Sequence, residues 1–303
     1  MVVTVVGLGL IGGSLALDLR ANGFANSLIG VDQSAQHCQQ ALDRNLVDKV
    51  LPLEQACWES DIILLAIPVG AIVDVLPQVL TRISKQCVVM DMGSTKEEIS
   101  RLLKGHSRRG RCVLAHPMAG TEYSGPMAAV KNLFQGNAAI ICDKEASDPD
   151  ALKLAERLFK SLFMHLIYMD AASHDIHAAY VSHISHISSF VLSLTVLEKE
   201  KSESTIFNLA SGGFASTVRL AKSSPKMWRD VYQQNSSNIL DVLDEYIEKI
   251  TLFRELIASG DFDGTQSLMK EANEIRRILD GEEADLPISS SPTTKQQTLI
   301  SNR

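Results

Sequence analysis

No two cysteines stand in a Cys-x-x-Cys pair: the five thiols, Cys38, Cys57, Cys87, Cys112 and Cys142, are odd in number and widely spaced. That spacing excludes a zinc ribbon and a thioredoxin-type redox motif, and points to free thiols in a reducing compartment. Cys87, Cys112 and Cys142 lie in or beside apolar runs, where a thiol behaves as a small hydrophobe. Surplus positive charge is also missing. Against 36 acidic residues stand 29 lysines and arginines, a net charge of -7, so no basic face for nucleic acid is expected. The one basic concentration, Arg101, Lys104, Arg108, Arg109 and Arg111, is punctuated by Gly105 and Gly110 and carries no interleaved aromatics. It reads as a solvated helix end and turn. There is no charged leader with a cleavage site, no apolar run of membrane-spanning length, and no repeat of about 20–50 residues. The expectation is a soluble, cytoplasmic protein with neither a nucleic-acid nor a membrane partner.

What is present is an ordinary globular balance, 45% hydrophobic and 21% charged over 303 residues, enough for two domains. In the first half, short β-branched runs alternate with helical patterns. Val2 to Val6, Leu28 to Val31, Ile62 to Ile67, Cys87 to Met90, Cys112 to Ala115 and Ala138 to Cys142 read as buried strands. Ile11 to Asn22, Ala35 to Arg44, Ala71 to Leu80 and Lys96 to Leu103 read as helices between them. Strands without polar alternation, separated by helices, predict a doubly wound α/β layer structure with a parallel sheet. After about residue 170 the period changes to 3.6. Ser173 to Glu200, Met227 to Ile257 with a break near Asn235, and Asp261 to Leu279 predict an all-α second domain. The domains are expected at 1–169 and 170–280. Residues 281–303, polar and rich in Ser and Thr, are expected to form a disordered tail.

Gly7-x-Gly9-x-x-Gly12 follows the first strand and opens the first helix. Gly7 permits a tight turn, Gly9 lets backbone approach a pyrophosphate, and Gly12 lets helix and strand pack closely. The amides of Leu10 and Ile11 at the helix start complete an anion cradle. Asp32 ends the second strand 20 residues after Gly12. A carboxylate there accepts bonds from ribose hydroxyls and repels a 2′-phosphate, so NAD is expected over NADP. No metal is expected.

Four further segments carry chemistry. His116, in His-Pro-Met-Ala-Gly-Thr121-Glu122, sits at the carboxyl end of a predicted strand, where ligands bind in such sheets. Its near-neutral pKa suits proton abstraction from a hydroxyl as hydride leaves. Ser94, in the Asp-Met-Gly-Ser-Thr-Lys loop at 91–96, either points into that crevice or, with Thr95, caps the helix beginning near Lys96; residue chemistry alone favours the cap. His174, His177, His183 and His186 share one helical pattern. At about 100° per residue the first pair and the second pair face opposite sides, which is not how a four-His metal centre is built. Arg219, among small and apolar residues after Gly212-Gly213-Phe214, has the geometry for a carboxylate partner.

Taken together, the glycine start, Asp32, DMGSTK at 91–96, HPMAGTE at 116–122, the paired histidines at 182–186 and GGFASTVRLAKSSPKMW at 212–228 resemble the prephenate/arogenate dehydrogenase family over roughly residues 1 to 280. The resemblance implies NAD-dependent oxidation of a cyclohexadienol dicarboxylate, with loss of carbon dioxide, on the route to tyrosine. It implies His116 as the catalytic residue bonding the ring hydroxyl and Ser94 beside it. It implies His186 and Arg219 as substrate ligands, His183 as a further member of that motif, and Thr121 and Glu122 at the mouth. It also implies a homodimer formed through the helical domain. Prephenate is the expected substrate and arogenate the alternative.

Three departures from the family pattern stand out. Ser185 replaces a Pro common between the paired histidines, so local helix geometry is expected to differ. Ser216 replaces an acidic residue common three positions before the Arg, which weakens any ion-pair gate. No regulatory or chorismate mutase domain is visible. Two other readings stay open: an NAD-sensing protein without catalysis, against which His116, Ser94 and Arg219 all speak, and a β-hydroxyacid-type dehydrogenase. The latter is disfavoured because Ser173 to Leu197 contains no lysine.

Overall fold

Strand-forming residues dominate eight segments: β1 (Val2–Val6), β2 (Ser27–Val31), β3 (Lys49–Val50), β4 (Ile62–Leu65), β5 (Val88–Asp91), β6 (Cys112–Pro117), β7 (Ala138–Cys142) and β8 (His165–Met169). In the computed structural model, which describes residues 1–203 and 205–279, they form one sheet in the order β3-β2-β1-β4-β5-β6-β7-β8. The order reverses at β1, which pairs in parallel with β2 on one side and β4 on the other. A crevice opens at such a switch point, outside the carboxyl ends of the strands. Six strands match the sequence reading to within two residues. Two short edge strands, β3 and β8, do not appear in it. β3 has only two residues and β8 is largely exposed, so neither shows a buried run.

The expected all-parallel sheet needs one correction. β7 runs antiparallel to β6, with His116 opposite Ile140. A parallel return requires a crossover, usually a helix. The connection between β6 and β7 holds only a short 3₁₀ turn, Pro126–Ala128. It stays at the carboxyl edge, tied down by Arg44 to the carbonyls of Pro126 and Ala129, and by Ser14 and Asp18 to the amides of Val130 and Asn132.

Helices α1 (Leu10–Ala21), α2 (Ala35–Asp43), α3 (Leu53–Glu59), α4 (Val69–Arg82), α5 (Glu97–Leu102) and α6 (Pro149–Ser161) cover the sheet. Val3, Val5, Leu64, Met90 and Val113 face one apolar layer, while Ile63, Leu65, Val89, Cys112 and Leu114 face the other. Both faces are buried, which is why the strands show no alternation. All five cysteines are free, and burial pushes the Cys87, Cys112 and Cys142 thiols up to about 12. The basic cluster is less solvated than expected. Arg108, Arg109 and Arg111 donate to the carbonyls of Ile83, Cys112 and Gln86, and so tie the amino ends of the central strands together.

Beyond the sheet the described chain is helical: α7 (Ala171–Ala178), a wider π-type turn (Ala179–His183), α8 (Ile184–Glu200), α9 (Gly212–Thr217), α10 (Pro225–Gln234), α11 (Ser236–Ser259), α12 (Phe262–Ala272) and α13 (Ile275–Leu279). The break at Asn235 falls where the sequence places it. Two compact units result, Met1–Asp244 and a second beginning at Glu245. That division lies beyond the compositional boundary at 169/170, because α7 and α10 pack on α5 and α4 as part of the first unit. Val69 of α4 meets Trp228 and Val231 of α10, and a Cβ at Gly70 would lie 2.7 Å from the Asp230 carboxylate. The expected tail, 281–303, lies outside the described residues.

One expectation about apolar runs is corrected. The continuous helix Ala171–Glu200 spans 30 residues and contains an 18-residue stretch of mean hydropathy 1.3, long and apolar enough by composition to cross a membrane. The sequence reading missed it because histidines and serines interrupt every apolar run. Its first half is bonded into the sheet-bearing unit through His174 and Asp175.

Candidate active site

The turn between β1 and α1 has the shape of a phosphate cradle. Gly7 takes φ +94°, and a Cβ there would lie 2.5 Å from the Ala66 carbonyl oxygen. A Cβ at Gly12 would lie 1.9 Å from the Gly7 oxygen, whereas one at Gly9 would meet nothing within 4 Å. Gly7 and Gly12 are thus demanded by packing, while Gly9 borders open space that a ligand backbone contact requires. The first-turn amides of Leu10, Ile11 and Gly12 have no intrahelical acceptor, and Gly9 supplies no side-chain cap. Asp32 is held at its rim: Leu8 N donates to Oδ2 at 2.9 Å and Ser34 N to Oδ1 at 2.8 Å. These residues fit a dinucleotide. Gly9→Ala is expected to leave stability within about 0.5 kcal/mol of wild type while weakening NAD binding. Gly12→Ala should lower the melting temperature as well. Calorimetric melting and NAD titration of the two variants separate these effects; equal loss of stability in both would contradict the geometry.

His116 ends β6 at the same carboxyl edge. Its Nδ1 lies 2.9 Å from His174 Nε2, and His174 Nδ1 lies 2.7 Å from Asp175 Oδ1. Burial first, then the neighbouring His174, Lys96 and His183, hold the His116 pKa well below the ordinary histidine value of 6.5. The ring is therefore neutral at physiological pH, the form that accepts a proton.

The sequence reading names His174 among four helical histidines but gives it no role at the site, and the reason is geometric. Nine positions at about 100° each place His174 and His183 half a turn apart. The π-type turn between them absorbs an extra residue and rotates everything after it. Both imidazoles are 1% exposed, and Asn235 Nδ2 bonds both the Asp175 carbonyl and His183 Nδ1. His174 and His183 therefore face the same interior, correcting the expectation of opposite sides, while His177 is exposed. Among the described residues no group of three or more His, Cys, Asp or Glu is arranged to hold a metal.

The loop after β5 is anchored from beneath. Lys96, fully buried, bonds Asp91 Oδ2 and, at 2.8 Å, the Ala115 carbonyl next to His116. α5 is capped neither by Ser94 nor by Thr95. The Asp175 carboxylate accepts from Lys96 N at 2.8 Å and Glu97 N at 2.9 Å, while Thr95 Oγ1 bonds Gln234. Ser94 is left half-buried with no side-chain hydrogen bond among the described residues, in the loop that follows the strand neighbouring that of His116.

The remaining candidates separate into wall and mouth. His183 lies in the wall, and burial pushes its pKa down to about 4. Its neutral form stabilises the fold above pH 6.5, and that contribution is lost as pH falls toward 4. The window is worth about 3 kcal/mol. Stability measured between pH 7 and 4.5 should therefore fall less steeply in His183→Asn than in wild type; parallel slopes would contradict this. His186 stacks on Trp228, ring centroids 3.8 Å apart, and its Nδ1 lies 3.0 Å from the Ser182 carbonyl. Burial lowers its pKa as well. Ser185 leaves the helix unbroken here, its hydroxyl 3.5 Å from the Val181 carbonyl.

Arg219 Nη1 lies 3.0 Å from Glu122 Oε2, so an ion pair spans the mouth despite Ser216. The local backbone amide and then Arg219 hold the Glu122 carboxyl below its usual range. Ser189 fixes the Arg219 segment by accepting from Ala221 N and donating to the Thr217 carbonyl. Thr121 accepts from Tyr123 N in the exposed loop. Asp175, Lys96, Asn235, Ser189 and Trp228 were all missed as parts of this site. Two of them had a signal in the sequence, Lys96 within DMGSTK at 91–96 and Trp228 within the 212–228 motif.

The chain matches two family models in order: prephenate dehydrogenase, nucleotide-binding domain, over residues 15–168, and prephenate dehydrogenase, dimerization domain, over residues 170–271. It is 30% identical over 280 residues to prephenate dehydrogenase of Bacillus subtilis, covering 90% of this chain and 75% of that one. The structure of prephenate dehydrogenase from Aquifex aeolicus in complex with hydroxyphenyl propionate and NAD+ aligns with TM-score 0.83 and 28% identity, covering 92% of this chain and 98% of that one. Synechocystis arogenate dehydrogenase aligns with TM-score 0.72 and 29% identity, covering 92% of this chain and 100% of that one. Both halves thus match one family in the order the fold presents them, and the chain belongs to the prephenate dehydrogenase family of NAD-dependent oxidoreductases.

Proposed function

We propose that this protein oxidises prephenate to 4-hydroxyphenylpyruvate and carbon dioxide, with arogenate as the alternative substrate. The observation that carries the reading is a neutral His116 held at the carboxyl end of β6 beside the nucleotide crevice. NAD, when bound, supplies the nicotinamide carbon that accepts hydride. His116 Nε2 takes the hydroxyl proton as hydride leaves the ring carbon, and the ring carboxylate departs as carbon dioxide as the ring becomes aromatic. The proton then returns to the product phenol oxygen. Ser94 stands beside the reacting hydroxyl. Arg219 exchanges Glu122 for a substrate carboxylate, and His186, packed at a tilt against Trp228, lines the pocket with Thr121 at its rim.

Similarity to both a prephenate and an arogenate dehydrogenase leaves the substrate to be measured. Following NADH formation with each substrate on one preparation tests the reading. No turnover of either, with NAD bound, would favour the sensing alternative.

Cofactor choice rests on Asp32. NAD should be used at least about tenfold better than NADP, a difference of about 1.4 kcal/mol, and Asp32→Ser should narrow that ratio. Equal use of both by wild type would remove the assignment.

The cytoplasmic homodimer belongs to the same reading. Val191, Leu194 and Leu197 are each half-exposed or more on α8, as are Ile247, Ile250 and Ile257 on α11. Such apolar faces fit a subunit interface, and sedimentation of wild type should show a dimer.

A further inference from the structure

We propose that His174 and Asp175 are positioning residues that select the tautomer of His116, so that its Nε2 faces the substrate without a proton. The inference rests on the reading of His116 as the base and adds what makes it one. Only one of the two neutral tautomers of an imidazole presents a bare nitrogen to a given side. A histidine carrying its proton on Nε2 would meet the substrate hydroxyl with a donor and could not take its proton.

The chain of contacts decides the matter by counting donors. Asp175 receives Lys96 N on Oδ1 and Glu97 N on Oδ2, and a backbone amide only donates. The carboxylate is therefore an acceptor on both oxygens, and His174 Nδ1, 2.7 Å from Oδ1, must carry the proton it donates. An imidazole whose one proton sits on Nδ1 has no second N–H, so His174 Nε2 is then an acceptor. His116 Nδ1, 2.9 Å away, is then the donor, and His116 Nε2 is left bare. That nitrogen has no partner among the described residues. His174 and Asp175 are each 1% exposed, so no water competes for the relay.

The same Asp175 carboxylate caps α5, which fixes the loop carrying Ser94. One buried residue thereby sets both the register of that loop and the protonation pattern of His116. The arrangement follows the general rule that an imidazole's working nitrogen is set by the bond made by the other one.

The test begins with wild type. Long-range ¹H–¹⁵N correlation of the histidine rings, assigned by comparison with His116→Asn, should show His116 protonated on Nδ1 and unprotonated on Nε2. A protonated Nε2 would overturn the inference, and this measurement needs no variant at positions 174 or 175. Asp175→Asn and His174→Phe should then lower kcat by roughly 10²-fold or more, by analogy with a triad whose orienting carboxylate is lost. NAD binding should be kept, and the His116 signals should shift toward the other tautomer or a mixture. Wild-type turnover and an unchanged tautomer in both variants, with His116→Asn inactive, would overturn the inference while leaving His116 as the base. Full turnover in His116→Asn would instead remove the reading beneath it.

Discussion

His116→Asn is expected to lower kcat by roughly 10²–10⁴-fold, the usual contribution of one positioned acid–base group, with NAD binding and melting temperature close to wild type. Asparagine keeps a polar group of similar reach but accepts no proton at neutral pH. Its amide NH₂ can still donate to His174 Nε2, 2.9 Å from the native Nδ1, so the wall need not collapse. The pH profile gives an independent check. Burial and neighbouring cationic and imidazole groups hold His116 well below 6.5. Protonation stops the reaction, so activity should stay flat as pH falls through 6.5 and decline only below it. Near-normal turnover in the variant, or an acidic limb centred at or above 6.5, would exclude His116 as the base.

Arg219→Ala is expected to cost about 2–5 kcal/mol in kcat/KM, the range for removing one member of a buried, hydrogen-bonded charge pair. The side chain is 48% exposed while paired with Glu122, so its bond to Glu122 contributes little to stability. The larger effect arises when a substrate carboxylate replaces Glu122 and the crevice closes out water. Melting temperature and NAD affinity should therefore change little. Glu122→Gln runs the other way on binding: with its competitor weakened, Arg219 should bind substrate with a lower KM, most clearly at low ionic strength. Loss of NAD binding in Arg219→Ala, or a raised KM in Glu122→Gln, would assign the pair a structural role.

The nucleotide half was legible because its signals are local. Gly7, Gly9 and Gly12 act within one turn, and the strand beginning at Val2 declares itself by an unbroken apolar run. Asp32 lies where the second strand must end once the first is placed. His116 was legible for the same reason, since the carboxyl end of a buried strand is a position the sequence itself marks. The all-α character of the later segments followed from their 3.6-residue period, and the break at Asn235 from the loss of that period.

Other features depended on partners remote in the chain. The α5 cap was assigned to Ser94 or Thr95, the nearest residues able to cap it, but Asp175 takes that place from a different helix. The antiparallel β7 came from a connection that lacks a crossover helix, a property of the whole loop rather than of any residue in β7. The pairing of Arg219 with Glu122 joins residues 97 positions apart, and no local pattern announces it.

By itself, then, the sequence determined what short-range physics controls: the strands, the glycine cradle, the carboxylate at its rim, and the candidate base at the end of β6. Tertiary structure alone decided the partner of that base. Ideal helical geometry turns His174 away from His183, but one wider turn at Ala179–His183 brings both inward. A single extra residue in a helix rotates every later side chain by about 100°. Whether that residue is accommodated is settled by the packing around the helix, here by Asn235 and the Asp175 cap, and not by the periodicity of the helix's own sequence.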